Sequence, residues 1–232
     1  ILTDNEITIN EELKENETIY NYIDRAINNF DNKEILDGLK GIKIEYMNKR
    51  DMDYKYSSNN QGIVMEIEDY KYSDIKEVYD KNFIVILDHL EDPHNFGAII
   101  RTCEAAGVDA IIIPKKRSVE INSTVMKVSA GALNNIKIVE VNNLVNAMEK
   151  LQDNGFWIYG TDMENSEVYT DVKYDEKTAL VIGAEGNGIG RLVREKCDFV
   201  VNIPMTGKIN SLNASVAAAI VIYEVVRQRR IK

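Results

Sequence analysis

The strongest constraint in this chain of 232 residues is a rhythm: from Phe83 onward, apolar runs of four to six residues alternate with longer segments of helical period. Runs at 83–87, 110–113, 136–141, 157–161, 178–182 and 199–203 read as strands, the second closed by Pro114. Residues 95–106, 122–133, 144–152, a short stretch near Arg191 and 211 to about 230 read as helices. Strands that are apolar throughout are buried on both faces, and strands separated by helices return in the same direction. The expected fold class is therefore α/β, a parallel sheet with helices on both faces. Ligands of such sheets bind beyond the carboxyl ends of the strands. The loops that matter follow Leu87, Ile182 and Ile203.

The first loop reads Asp88-His89-Leu90-Glu91-Asp92-Pro93-His94-Asn95-Phe96-Gly97, with Arg101 on the helix behind it. Asn95 is expected to cap that helix, whose free N–H groups would then face an anion. The same residues are also consistent with plain turn chemistry and a solvated arginine. The second loop, Gly183-Ala184-Glu185-Gly186-Asn187-Gly188-Ile189-Gly190, has four glycines that let a backbone approach a ligand closely. Its spacing is G-x-x-G-x-G-x-G, which is neither the dinucleotide fingerprint nor a P-loop, and this disfavours a nucleotide-dependent oxidoreductase. Glu185 would repel a pyrophosphate, so the loop suits another ligand unless Glu185 is simply a surface glutamate. In the third loop Ile203-Pro204-Met205 leads to Ser211-Leu212-Asn213-Ala214-Ser215. Capping and close packing would account for Ser211, Asn213 and the alanines that follow.

Charge complicates the choice of partner. With 28 basic against 38 acidic residues the chain carries −10, which taken whole argues against a polyanion. The acidity is uneven, however: residues 1–82 carry −8 and residues 83–232 only −2. Within the second part Lys115, Lys116, Arg117 and Lys127 form one basic cluster, and Arg227, Arg229, Arg230 and Lys232 another. Such clusters suffice for local phosphate contacts if they share a side.

The first third reads as a compact α/β appendage, with a weak helical period over 11–30, strand-like alternation at 42–46 and 63–67, and a polar loop at 54–61. Residues 1–70 are expected as one small domain, 71–82 as a linker with one helical turn, and 83–232 as the main domain. The chain opens at Ile1 rather than Met, so a start inside a longer product is the expectation, and no signal-like or transit-like pattern is visible. Two cysteines, Cys103 and Cys197, make neither a disulfide framework nor a multi-thiolate metal site, so no metal is expected and a reducing cytoplasm fits. The longest apolar run near the C-terminus, 216–222, is too short to span a membrane.

Taken together, Asp92-Pro93-His94-Asn95-Phe96-Gly97 with Arg101, Gly183-Ala184-Glu185-Gly186 with Gly188-Ile189, and Ile203-Pro204-Met205 with Ser211-Leu212-Asn213-Ala214-Ser215-Val216-Ala217 resemble the three motifs of the TrmH-type SPOUT RNA ribose 2′-O-methyltransferases. The motifs come in the family's order across about 150 residues. The resemblance is strongest to members that methylate a guanosine of 23S ribosomal RNA, with transfer RNA as the alternative substrate. It implies S-adenosylmethionine as cofactor, a trefoil knot in the C-terminal part and a homodimer packed through the last helix. It also implies that residues 1–70 form an RNA-holding domain similar to ribosomal protein L30e, although the first twenty residues do not match that domain's usual opening. By family position Thr161, Gly183, Gly186, Ile203 and Leu212 would hold the cofactor, and the basic cluster Lys115, Lys116, Arg117 and Lys127 is expected to contact the RNA. Arg101, Asn95, Glu185, Ser211 and Asn213 would serve the transfer. A guanidinium stays protonated in proteins, so Arg101 is expected to anchor phosphate and stabilise the alkoxide rather than act as base. A catalytically silent RNA-binding relative is disfavoured because every motif residue is present.

Overall fold

The computed structural model describes residues 47–56, 64, 69–184, 188–208 and 211–230. The chain divides after Tyr70 into two units. Of the first, helix α1 (Lys49–Tyr56) is described; it opens where the Asn48 side chain accepts the N–H of Asp51, and it buries Met52. The helix expected at 11–30 and the strand at 42–46 lie outside the described residues, as does the strand at 63–67 apart from Val64.

Among the described residues, the second unit is built on seven strands: β1 (Phe83–Asp88), β2 (Ala110–Pro114), β3 (Lys137–Val141), β4 (Trp157–Thr161), β5 (Glu167–Val168), β6 (Thr178–Gly183) and β7 (Phe199–Asn202). They lie in the order β3-β2-β1-β6-β4-β7-β5, and every pairing between them is parallel. The fully buried runs Phe-Ile-Val-Ile-Leu of β1 and Thr-Ala-Leu-Val-Ile of β6 form the centre, in register from Phe83 opposite Thr178 to Asp88 opposite Gly183. Central position is what an apolar run on both faces demands. After β3 the chain crosses the sheet to β4, so the direction of strand addition reverses between β1 and β6.

Among the described residues, five helices accompany this sheet: α2 (Pro93–Ala106), α3 (Ser123–Ser129), α4 (Leu144–Asp153), α5 (Arg191–Glu195) and α6 (Ala214–Arg230). Helix α2 starts two residues before its expected start. Asp92, not Asn95, is its cap: the Asp92 carboxylate accepts the N–H groups of His94 and Asn95, and Pro93 occupies the first turn where no N–H is needed. Gly97 sets the approach of α2 to α3, since a Cβ there would lie 2.7 Å from Cβ of Val128. The expected single helix over 122–133 is instead α3 plus a 3-10 turn at Ala132–Asn134, split where Ala130 and Gly131 take left-handed backbone. Residues 71–82 belong to the second unit rather than forming a free tether. Ser73 bridges to Val139 at the β3 edge, a capping box of Asp74 and Glu77 starts the 3-10 turn Ile75–Val78, and Val78 is fully buried in the core.

Candidate active site

The carboxyl ends of β4, β6 and β7 open into a cavity of about 520 Å³. Thr161 ends β4, Gly183 ends β6, and Asn202 with Ile203 ends β7; Met205, Ser211 and Leu212 approach from the last loop and Ala217 from α6. Residues separated by tens of positions thus converge because parallel strands finish on the same edge. The Thr161 hydroxyl donates to the Val181 carbonyl at 3.0 Å, which fixes its rotamer in the wall. Gly183 is required by its neighbour: a Cβ would meet the Gly188 carbonyl at 2.1 Å, because the chain doubles back so that Ala184 bridges Gly188. Gly188 itself lies at φ +61, in the left-handed region.

One rim of the cavity is acidic. Asp162 and Glu164 line it, and Arg194 holds this segment, its Nε 3.3 Å from the Asp162 carboxylate and its Nη2 donating to the Glu164 carbonyl. Apolar side chains, Ile182, Ile203, Met205 and Leu212, also line the cavity. The cavity therefore suits a ligand with an apolar body and a cationic end.

A second cavity, also about 520 Å³, is lined by His89, Leu90, Glu91, Asp92, Arg117 and Gly190, and shares Ala184 and Gly188 with the first. It faces the ends of β1 and β2, across the point where strand addition reverses. His89 and Arg117 both stand at φ +58, uncommon backbone for residues other than glycine.

Of the residues expected to serve the site, Thr161, Gly183, Ile203, Ser211 and Leu212 are brought together in the first cavity. Asn95 is buried in the first turn of α2 and its Oδ1 accepts from Asn213 Nδ2 at 2.9 Å, joining the first and third loops directly. Asn213 also caps α6, its Oδ1 taking the N–H and the hydroxyl of Ser215; Ser211 takes no part in that cap. Arg101 is exposed on α2 and does not line either cavity of its own chain. Glu185 and Gly186 lie outside the described residues.

Lys115, Lys116 and Arg117 are exposed beyond β2, and Lys127 is exposed on α3. The second basic cluster is different. Arg227 is held by both carboxylate oxygens of the buried Glu224 at 2.7 Å. Arg229 donates to the carbonyls of Asn82 and Glu176 and covers the Phe83 ring at 4.6 Å. Burial lowers its pKa from the ordinary arginine value. Arg229 thus stitches α6 to the segments that lead into β1 and β6, whereas Arg227 is paired within α6 and remains exposed; Arg230 is exposed and Lys232 lies outside the described residues.

Two features escaped the sequence reading. Asp162 with Arg194 has no sequence signal, because nothing in the spacing says that they meet. Asp88 had one: it is a lone carboxylate ending an apolar strand, and it is 1% exposed.

A parallel sheet accompanied by helices, with cavities beyond the carboxyl ends of its strands, defines an α/β protein with the usual ligand-binding edge. Residues 82–223 match the SpoU rRNA Methylase family. A TrmH family tRNA/rRNA methyltransferase designated YacO from Bacillus subtilis, itself named as putative, is 44% identical over 82% of this chain and 79% of its own length. A homologue of the same description from Staphylococcus saprophyticus is 48% identical over 81% of this chain and 78% of its own. Among solved structures, the SpoU methyltransferase AviRb of Streptomyces viridochromogenes in complex with AdoMet superposes with a TM-score of 0.71 at 26% identity, covering 86% and 79% of the two chains. The TrmH/SpoU tRNA modifying enzyme of A. aeolicus gives 0.59 at 33% identity, covering 68% and 83%. This chain belongs to the SpoU methylase family, that is, to the TrmH-type RNA methyltransferases.

Proposed function

We infer that the protein transfers a methyl group from S-adenosylmethionine to a ribose 2′-hydroxyl of RNA, with a guanosine of 23S ribosomal RNA as the favoured target. The observation that carries this is the convergence of Thr161, Gly183, Ile203, Ser211 and Leu212, drawn from separate motifs, on one cavity. Its volume falls in the range of small-molecule sites, roughly 300–1,000 Å³. Its chemistry fits the cofactor: apolar side chains for the adenosyl body, and Asp162 and Glu164 for the cationic amino acid and sulfonium end. When bound, the cofactor supplies an electrophilic methyl.

The chain's own residues would do the rest. Asn95 and Asn213, linked to each other, hold the first and third loops in one geometry. The second cavity, which shares the bridged pair Ala184 and Gly188 with the first, takes the acceptor nucleotide, with Lys115, Lys116 and Arg117 steering its phosphates and Lys127 supporting them. Arg101 anchors phosphate and stabilises the alkoxide as a fixed cation. Because it lies away from the cavities of its own chain, this role calls for a second protomer. Helix α6 supplies a surface for one: Val216 and Tyr223, one heptad apart, are 46% and 48% exposed beside small Ala217 and Ala219. A homodimer through α6, a trefoil knot in the C-terminal part, an L30e-like fold for residues 1–70 and a cytoplasmic location complete the reading.

Transfer RNA is the second reading, favoured by the tRNA-modifying structural relative. Incubation with labelled S-adenosylmethionine and separated ribosomal and transfer RNA decides between them. Label in 23S RNA is expected, and label in transfer RNA alone would replace the favoured substrate.

A further inference from the structure

At the two ends of the loop between β6 and α5, Ala184 and Gly188 bridge each other and line both cavities. Where this loop returns to the sheet, one side chain holds it. Asp88 ends β1 directly opposite Gly183, and its Oδ2 accepts the Gly190 N–H at 2.6 Å. Its Oδ1 pairs with Nδ1 of His89, which lines the second cavity. A buried carboxylate is costly unless hydrogen-bonded, and its bonds to N–H donors are stronger than neutral ones. The fit is also close, for a Cβ on Gly190 would stand 3.3 Å from the same oxygen. The loop is therefore tied to the central strand at both ends: by the Gly183 register at its start and by Asp88 at its return.

We propose that Asp88 is a positioning residue for methyl transfer, setting through Gly190 the Ala184–Gly188 pair that borders the donor and acceptor cavities, without touching either ligand. The proposal rests on the assignment of the first cavity to S-adenosylmethionine. Calorimetry with S-adenosylmethionine, and separately with an RNA fragment that the unaltered chain methylates, tests it on the full chain. Asp88→Ala is expected to raise the Kd of the cofactor and of the RNA fragment each about tenfold while the melting temperature stays within a few degrees, because Ala184 and Gly188 border both cavities and the two partners of Asp88, Gly190 and His89, line the second. Asp88→Asn keeps an oxygen for the Gly190 N–H and should return the cofactor Kd to within about threefold of the original. The Gly190 amide should exchange slowly with solvent in the original and in Asp88→Asn.

Unchanged cofactor affinity in Asp88→Ala would overturn the role, and so would parallel loss of cofactor and RNA binding together with melting temperature, the mark of general destabilisation. An Asn variant no better than Ala would do the same. Should the Ala variant not fold, the Asn variant decides: original cofactor affinity with an unprotected Gly190 amide overturns the proposal, and affinity with protection supports it. Absence of cofactor binding by the unaltered chain overturns the cofactor assignment itself, an outcome distinct from failure of Asp88 alone.

Discussion

Asn213 donates its side-chain amide to Asn95 across 118 positions of sequence, at 2.9 Å, and so locks the start of α6 to the start of α2. The same Asn213 caps α6 with its other amide atom. Asn213→Ala removes both, and loss of an N-cap alone costs about 1 kcal/mol. Urea unfolding should show a loss of roughly 1–3 kcal/mol, with a coupling to Asn95→Ala of at least about 0.5 kcal/mol in a double-mutant cycle. Additive effects would show that the two side chains act independently.

Gly97→Ala forces a Cβ to within 2.7 Å of Val128. Overpacking of this kind costs about 1–3 kcal/mol. Val128→Ala in the same chain should recover most of it, measured as the urea midpoint. Failure to recover would mean that α2 and α3 are not in the contact described.

Glu224 gives a pH prediction. The Arg227 guanidinium, with help from Gln228, holds its carboxyl below the ordinary glutamate value of 4.5. A depressed folded-state pKa means that stability is fully present above the unfolded value and is lost as pH falls through the folded one. The contribution of Glu224 should therefore disappear progressively below about pH 4.5. Glu224→Gln should be less stable than the original chain at pH 7, with the gap closing as the solution is acidified. A gap that is constant with pH would remove the ion pair from the account.

Cys197 shows what the sequence alone leaves open. Burial pushes its thiol up to about 12. Cys103 is also raised by burial, and fully enclosed in α2. Both should alkylate at pH 8 only on unfolding, because the thiolate is the reactive form. Rapid modification of the native chain would contradict the burial of Cys103 in α2 or the seating of Cys197 against Gly160 of β4.

The fold was largely legible because its strands are apolar on both faces. Residues 83–87 and 178–182 contain almost nothing polar, so their burial followed from composition. Strand β5 was missed because Glu167–Val168 is too short to show a period, and it exists only by pairing with β7. The lateral order of strands was not legible, since nothing within Phe83–Asp88 says that its neighbour is 95 residues away. Within the site, each candidate loop was found, but roles assigned by local rules failed where a closer competitor existed. Asp92 took the cap expected of Asn95, and this freed Asn95 for Asn213. Arg227 and Arg229 looked like free cations until Glu224 and two backbone carbonyls claimed them.

Arg101 carries the functional reading furthest from its own cavity. Arg101→Ala should abolish RNA methylation while S-adenosylmethionine binding, by calorimetry, stays within about twofold. Turnover equal to that of the original chain would remove Arg101 from the reaction.

The central claim is the chemistry itself, and nucleoside mass spectrometry of RNA after incubation with the protein and S-adenosylmethionine tests it most directly. The account predicts a 2′-O-methylated guanosine at one position of 23S ribosomal RNA, absent without cofactor. A methyl group found on a base, or no cofactor-dependent methylation of ribosomal or transfer RNA, would contradict it.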